Sequence, residues 1–297
     1  MGCLFAASFK KTGFEVILLD YIPERAALIN EKGINVEGVR GRYHVQVPTM
    51  VENIPWRPDL VIICVKSYHT LEAARNLFPL VESKSFVMTL QNGVGNIEIL
   101  EEVFGKGKVL GGVTAEGATL LAPGQIRHAG EGDTVVGPEG DSHGPVGKIV
   151  AAFNQAGFKT RSEDNVEALI WGKLLVNAGI NALTAITRLK NGRLPEMDST
   201  RAIMERAVQE GAEVARAKNI HLPYPNPINR VTDVCRATSG NMASMLQDVL
   251  KRKPTEIDAI NGAIVREGKA LGISTPVNFI LTAIVHALQE TYQERID

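Results

Sequence analysis

Residues 60–66 read Leu60-Val61-Ile62-Ile63-Cys64-Val65-Lys66, and no other stretch says as much about the fold. Six apolar residues in a row, four of them β-branched, leave no polar face. A strand of this kind is covered on both sides, the situation of a parallel sheet with helices packed over it. On the downstream side come a helix running to Glu82, a second strand at residues 86–91 (FVMTLQ) and a helix at residues 96–104. Upstream, residues 15–20 (EVILLD) read as a strand and residues 23–31 as a helix ended by Gly33. Residues 34–39 are again β-like. Strand and helix alternating in this way is the signature of βαβ units. Residues 109–136 carry short strands broken by glycine and proline, with a turn at Pro123-Gly124, before a helix at 145–156 and a strand at 158–161.

The texture changes near Ser162. Helical spacing then dominates, over residues 164–187, 199–218, 230–250, 255–271 and 277–295, with the proline-rich stretch 222–227 (LPYPNP) between two of them. The reading is therefore an α/β domain over residues 1–162 and an all-helical domain over 163–297.

Composition narrows the function. A net charge of −1 over 297 residues offers no general attraction to nucleic acid or to anionic membranes. No apolar stretch is read as a membrane span, and Met1–Lys10 lacks the pattern of a secretory signal. Cys3, Cys64 and Cys235 are an odd number at distant positions without a zinc spacing, which points to a reducing cytoplasm and away from a metal site. Cys64, inside its apolar run, reads as a small packed hydrophobe.

The α/β half resembles a Rossmann dinucleotide domain with an unusual opening. The chain begins at what looks like the first helix, with Gly2 as the third glycine of GxGxxG. Asp20, 18 residues on, stands where such folds hold the ribose. The first strand and its phosphate turn would lie before Met1, and without them residues 15–20 and 60–66 each lack a ladder partner. We expect an upstream apolar strand ending in that turn. The alternatives are a truncated reading frame or closure of the two strands at the expense of the cofactor site.

Chemistry concentrates in a few blocks. Lys66 and Asn92 (in LQNGVGN) end successive strands, on the side where open α/β sheets bind ligands, although singly they read as a charged strand end and a turn. In WGKLLVNAGIN, Lys173, Asn177 and Asn181 are spaced by four and share one helical face amid leucine and isoleucine. A lysine beside two amides suits protonation of a carbonyl oxygen while the amides orient the rest of the ligand; a partly exposed polar stripe is the plainer reading. Ser244 (in SMLQD) and Glu256 (in TEIDAINGAI) taken alone read as a helix cap and a first-turn acid.

Taken in order, ICVK, LQNGVGN, WGKLLVNAGINALTA, NGRL, SMLQD and TEIDAINGAI resemble the ketopantoate reductase (2-dehydropantoate 2-reductase) family from Gly2 to about Pro276. The resemblance implies reduction of a small 2-keto acid, 2-dehydropantoate, to pantoate with NADPH on the route to coenzyme A. By motif, Lys173 is implied as the catalytic acid, with Asn177, Asn181, Asn191 and Ser244 on the substrate and Asn92 between substrate and cofactor. Gly2, Lys66, Ala118 (in GVTAEGAT) and Glu256 are implied along NADP. Asp20 favours a free ribose over a 2′-phosphate, and Arg25 five residues on is the compensating charge. The alternatives are a reductase of another branched 2-keto acid and a non-catalytic nucleotide-binding relative. The helical domain offers faces for a homodimer, and no nucleic-acid or membrane partner is expected.

Overall fold

The computed structural model describes residues 1–52, 54–138 and 146–294. Contacts divide it into two compact units, Met1–Gln91 with Ile97–Val166 and Asn92–Asn96 with Glu167–Asp297.

The first unit runs α1 (Gly2–Lys11), β1 (Leu18–Leu19), α2 (Pro23–Lys32), β2 (Ile34–Gly38), β3 (Tyr43–Val45), β4 (Thr49–Met50), β5 (Leu60–Ile63), α3 (Thr70–Leu77), β6 (Phe86–Thr89), α4 (Asn96–Phe104), β7 (Val109–Thr114), β8 (Gly117–Ala122), β9 (Gln125–Gly130), β10 (Thr134–Pro138), α5 (Val146–Gln155) and β11 (Thr160–Ser162). Five strands form a sheet in the order β11-β10-β7-β6-β5, in which β5, β6 and β7 are mutually parallel. A four-stranded sheet follows the order β3-β2-β9-β8, and β1 pairs with β4 in parallel. Pro145, read as the start of α5, lies outside the described residues.

The strand read at residues 15–20 is shorter than expected: only Leu18 and Leu19 pair, with Thr49 and Met50. Strands β1 and β5 do not close on one another. The start of α1 lies by the end of β5 instead; a Cβ added at Gly2 would meet the Cys64 Cβ at 3.3 Å. Cys64 packs against the same apolar core as expected. That core includes Phe5, Phe9, Phe153 and Phe158, whose rings meet edge to face with Phe5–Phe158 and Phe9–Phe153 centroids 5.0 and 4.9 Å apart.

The second unit holds α6 (Val166–Thr187), α7 (Asp198–Ala217), α8 (Pro227–Ala237), α9 (Ser244–Leu250), α10 (Asn261–Leu271) and α11 (Pro276–Glu290). Two readings need correction. Residues 230–250 are two helices, because Thr238 to Asn241 turn the chain: the Asn241 N–H donates to the Thr238 carbonyl at 2.9 Å, and the Thr238 hydroxyl folds back onto Val234 at 2.7 Å. Residues 255–271 begin with a tight 3-10 turn at Ile257–Ala259, so the helix starts only at Asn261. Arg295, read as the end of the last helix, lies outside the described residues.

Helix α6 also corrects the hydropathy reading, being long and apolar enough to cross a membrane by length and composition. Its apolar side chains are consumed elsewhere. Trp171, Leu174, Leu175, Ala178, Ile180 and Leu183 are all buried in the helical core. Apolarity over most of its circumference, broken by one polar stripe, is what a central helix of a bundle allows.

Candidate active site

The long central helix carries the densest group of implied site residues. Four-residue spacing on α6 puts Lys173, Asn177 and Asn181 one above another on a single face. Burial without a partner marks that face out. Among the described residues, four buried side-chain polar atoms lack a hydrogen-bond partner: Asn177 Nδ2, Asn181 Nδ2, Asn191 Oδ1 and Asn261 Oδ1. A buried polar group left unpaired costs about 1–3 kcal/mol, so folded proteins keep few of them. Three of these four atoms belong to residues implied at the substrate. Two are donors on the Lys173 face of α6, a pattern suited to a ligand rich in acceptors.

Lys173 itself is only part-exposed. Burial pushes its ammonium down to about 8, against the supporting charge of Glu256, which acts in the opposite direction. Glu256 is buried and sits just before the 3-10 turn. That turn also receives the loop of Asn92: the Val94 N–H donates to the Ala259 carbonyl at 3.0 Å. Backbone pairing thus gathers Asn92 and Glu256 on one segment of the second unit.

Asn191 opens a short turn, Asn191–Arg193, whose N–H groups donate to the carbonyls of Asn241 and Ser239. Its Nδ2 donates to the Thr238 hydroxyl at 2.9 Å. This ties Asn191 to the segment leading into Ser244, the first residue of α9. Ser244 is exposed, and the N-cap of that helix is Ala243, so the serine is not the helix cap that it reads as when taken alone.

Gly2, Lys66 and Ala118 lie in the first unit. Gly2 opens α1, which has no acid in its first turn and no side-chain cap, leaving N–H groups of the kind that hold phosphate. Lys66 follows β5 and caps a short turn, its carbonyl accepting from His69 N at 2.8 Å. Asp20, at the end of β1, is buried and forked by Arg25, with the Nη2–Oδ1 contact at 2.6 Å, and it accepts from the Ile22 N–H at 3.0 Å. These donors, with the acid expected at a ribose, fit a dinucleotide. Ala118 begins a hairpin anchored by the buried Glu116, which binds His128 at 2.5 Å and Arg40 at 2.9 Å.

Sequence reasoning left some polar residues without a role. Gln91, quoted within LQNGVGN, donates to the Val65 carbonyl at 2.7 Å and to the Thr70 hydroxyl at 2.9 Å, tying the ends of β5 and β6 together. The Glu116–His128 pair carried no local signal, since Glu116 lies between β7 and β8 while His128, 12 residues on, lies on β9.

Comparison with known proteins identifies the family. The model of "Ketopantoate reductase PanE/ApbA" matches residues 1–140 and that of its C-terminal domain residues 165–289. The 2-dehydropantoate 2-reductase of Pyrococcus abyssi is 34% identical over 287 residues, covering 96% of this chain and 93% of that protein. The Aquifex aeolicus protein of the same name is 36% identical, covering 89% of each. Among solved structures, a PanE/ApbA family ketopantoate reductase from Ralstonia eutropha JMP134 superposes with a TM-score of 0.90 at 33% identity, covering 98% and 96% of the two chains. A D-mandelate dehydrogenase with NADH and anilino(oxo)acetate gives 0.91 at 28%, covering 97% and 94%. With relatives of this identity spanning nearly its whole length, the chain belongs to the ketopantoate reductase family.

Proposed function

We propose that this protein reduces the 2-keto group of 2-dehydropantoate to the hydroxyl of pantoate, with NADPH, in the cytoplasm and on the route to coenzyme A. The observation that carries the proposal is the pair of unpartnered amide nitrogens of Asn177 and Asn181 on the Lys173 face of α6. A bound reduced nicotinamide supplies the hydride. Lys173 gives its proton to the oxygen of the carbonyl being reduced, and its lowered proton affinity suits a group that must release a proton near neutral pH. Asn177 and Asn181 donate to the carboxylate and hydroxyl oxygens of the keto acid. Asn191 and Ser244 hold its far end, and Asn92 lies between substrate and cofactor. Gly2, Lys66, Ala118 and Glu256 line the dinucleotide.

Two measurements test this reading. Replacing Asn181 with Ala is expected to raise the KM for 2-dehydropantoate by roughly 10- to 100-fold, the worth of a hydrogen bond to a charged group, while kcat changes less. An unchanged KM would remove Asn181 from the substrate.

For the cofactor, Arg25 neutralises Asp20, so the acid does not repel a 2′-phosphate. We expect kcat/KM to favour NADPH over NADH by about tenfold or more, a difference of about 1.4 kcal/mol. NADH is the second reading, favoured by Asp20 itself and by the NADH bound to the D-mandelate dehydrogenase. Equal use of both, or a preference for NADH, would show that Asp20 governs the ribose site.

A further inference from the structure

The fourth unpartnered atom, Asn261 Oδ1, lies outside the implied substrate set. Asn261 is fully buried at the start of α10. Its Nδ2 donates to the Ala178 carbonyl of α6 at 3.1 Å and to Asn278 Oδ1 of α11 at 3.0 Å. Asn278, also fully buried, directs its own Nδ2 at the Ala207 carbonyl (2.9 Å) and at Glu210 Oε2 (2.8 Å), both on α7. Glu210 also accepts from the N–H groups of Val277 and Asn278 at 2.9 and 3.0 Å, in the first turn of α11.

This chain of bonds has a direction. A backbone carbonyl only accepts, so Ala207 forces the Asn278 amide to present its NH₂ on the side it shares with Glu210. Its oxygen then faces Asn261, which must answer with NH₂ as well. Asn261 Oδ1 is turned away as a result and goes without a partner. The molecule therefore tolerates an orphaned acceptor in order to hold one donor on Ala178.

The position of that donor explains why. Ala178 is five residues beyond Lys173 on α6 and is flanked by Asn177. Asn261 is five residues beyond Glu256 and is joined to it through the 3-10 turn, whose Ala259 N–H donates to the Glu256 carbonyl at 3.1 Å. The same turn accepts the Asn92 loop at Ala259. One amide thus links the segment bearing Glu256 and Asn92 to the helix bearing Lys173. We propose that Asn261 is a positioning residue, oriented by Asn278 and Glu210, that holds the Glu256 carboxylate in place beside the Lys173 ammonium. The role of Lys173 rests on the function proposed above; the clamp is a statement about geometry.

The charge environment of Lys173 provides the readout. Glu256 supports its protonated form. Around the same turn of α6, the Tyr224 hydroxyl donates to the Gly172 carbonyl at 2.8 Å and stays neutral, pushed up to about 12 by burial. Lys218 lies over the Trp171 ring, 5.9 Å from its centroid, and is paired with Glu267. If Asn261 holds Glu256 in place, removing the amide lets the supporting charge retreat.

The test follows the Lys173 titration by NMR of ¹³Cε-labelled lysine in the full chain, alongside the pH dependence of kcat. In Asn261→Ala we expect the apparent pKa of Lys173 to fall by about one unit, as loss of a nearby opposite charge requires. The alkaline decline of kcat should move down with it, and the KM for 2-dehydropantoate should stay within about threefold because α6 keeps its own amides. Asn261→Ser, which retains a hydroxyl donor, should show a smaller shift and provides the measurement if the alanine variant does not fold. In a Glu256→Gln background the Asn261 substitution should add nothing to the shift. A folded variant of either kind with lower thermal stability but wild-type Lys173 titration would overturn the proposal, reducing Asn261 to a packing contact. Wild-type chain that leaves 2-dehydropantoate unreduced would count against the function instead, since the NMR titration needs no substrate.

Discussion

Replacing Lys173 with Ala lowers kcat by roughly 10²- to 10⁴-fold, the usual contribution of a positioned general acid. KM should move less, because Asn177, Asn181 and Ser244 keep their hold on the keto acid. The wild-type pH profile should carry the same signature. An acid acts in its protonated form, and burial has pushed Lys173 down to about 8. Reduction should therefore be level below that pH and fall about tenfold per unit above it, well before an ordinary lysine would titrate. Stability should run the other way. The folded chain binds the Lys173 proton less tightly than the unfolded chain does, so between about pH 8 and the ordinary lysine value of 10.5 this residue makes folding more favourable as pH rises. Below that window its buried charge is a steady destabilising contribution. Lys173→Met should accordingly fold at least as stably as the native chain at pH 7 while losing activity. Steady-state kinetics with a parallel thermal melt checks both, and a folded variant with near-native kcat would remove Lys173 from the chemistry, leaving Glu256 as the next proton donor to test.

Replacing Gly93 with Ala should lower kcat/KM on the order of 10²-fold, the loss that follows a misplacement of about 1 Å near the chemistry. Gly93 has φ +89°, a region that costs an alanine strain, and its Cβ would overlap the Ala259 carbonyl oxygen and come within 2.7 Å of the Ala259 Cβ. The loop would have to lift from the 3-10 turn, taking its neighbour Asn92 with it. Gly95 provides the comparison. Its φ is +104°, but an added Cβ meets nothing nearer than the end of the Arg266 side chain at 3.5 Å. Gly95→Ala should thus show the backbone strain without the displacement, with a loss of stability and a kcat/KM within about tenfold. Chemical denaturation and initial rates on the two variants separate these effects; equal kinetic losses would mean that strain alone, and not the Ala259 contact, sets the position of Asn92.

Local physics made several elements readable. The unbroken apolar run of β5, the proline at the start of α2 and the helical spacing of α4 each settle their own structure within a few residues. The four-residue spacing of Lys173, Asn177 and Asn181 declared a shared face on the same grounds. Reading failed where the deciding partner is remote. Residues 230–250 look like one helix by apolar spacing. The break at Thr238–Asn241 is held by carbonyls that accept from Asn191 and Gly192, almost 50 positions earlier. The 15–20 stretch has the composition of a full strand but finds a partner, at Thr49 and Met50, for only two of its residues.

The sequence by itself determined the α/β half, the helical half and the polar stripe on the central helix, because hydrophobic period and turn chemistry act within a few residues of chain. Tertiary structure alone decided which amides go without partners, that Asp20 is engaged by Arg25, that the Asn92 loop rests on the turn after Glu256, and that Asn261 reaches Ala178. Each of these depends on hydrogen bonds or burial between segments distant along the chain, and the free energy of such contacts exists only once the folded backbone brings the segments within about 3 Å of one another.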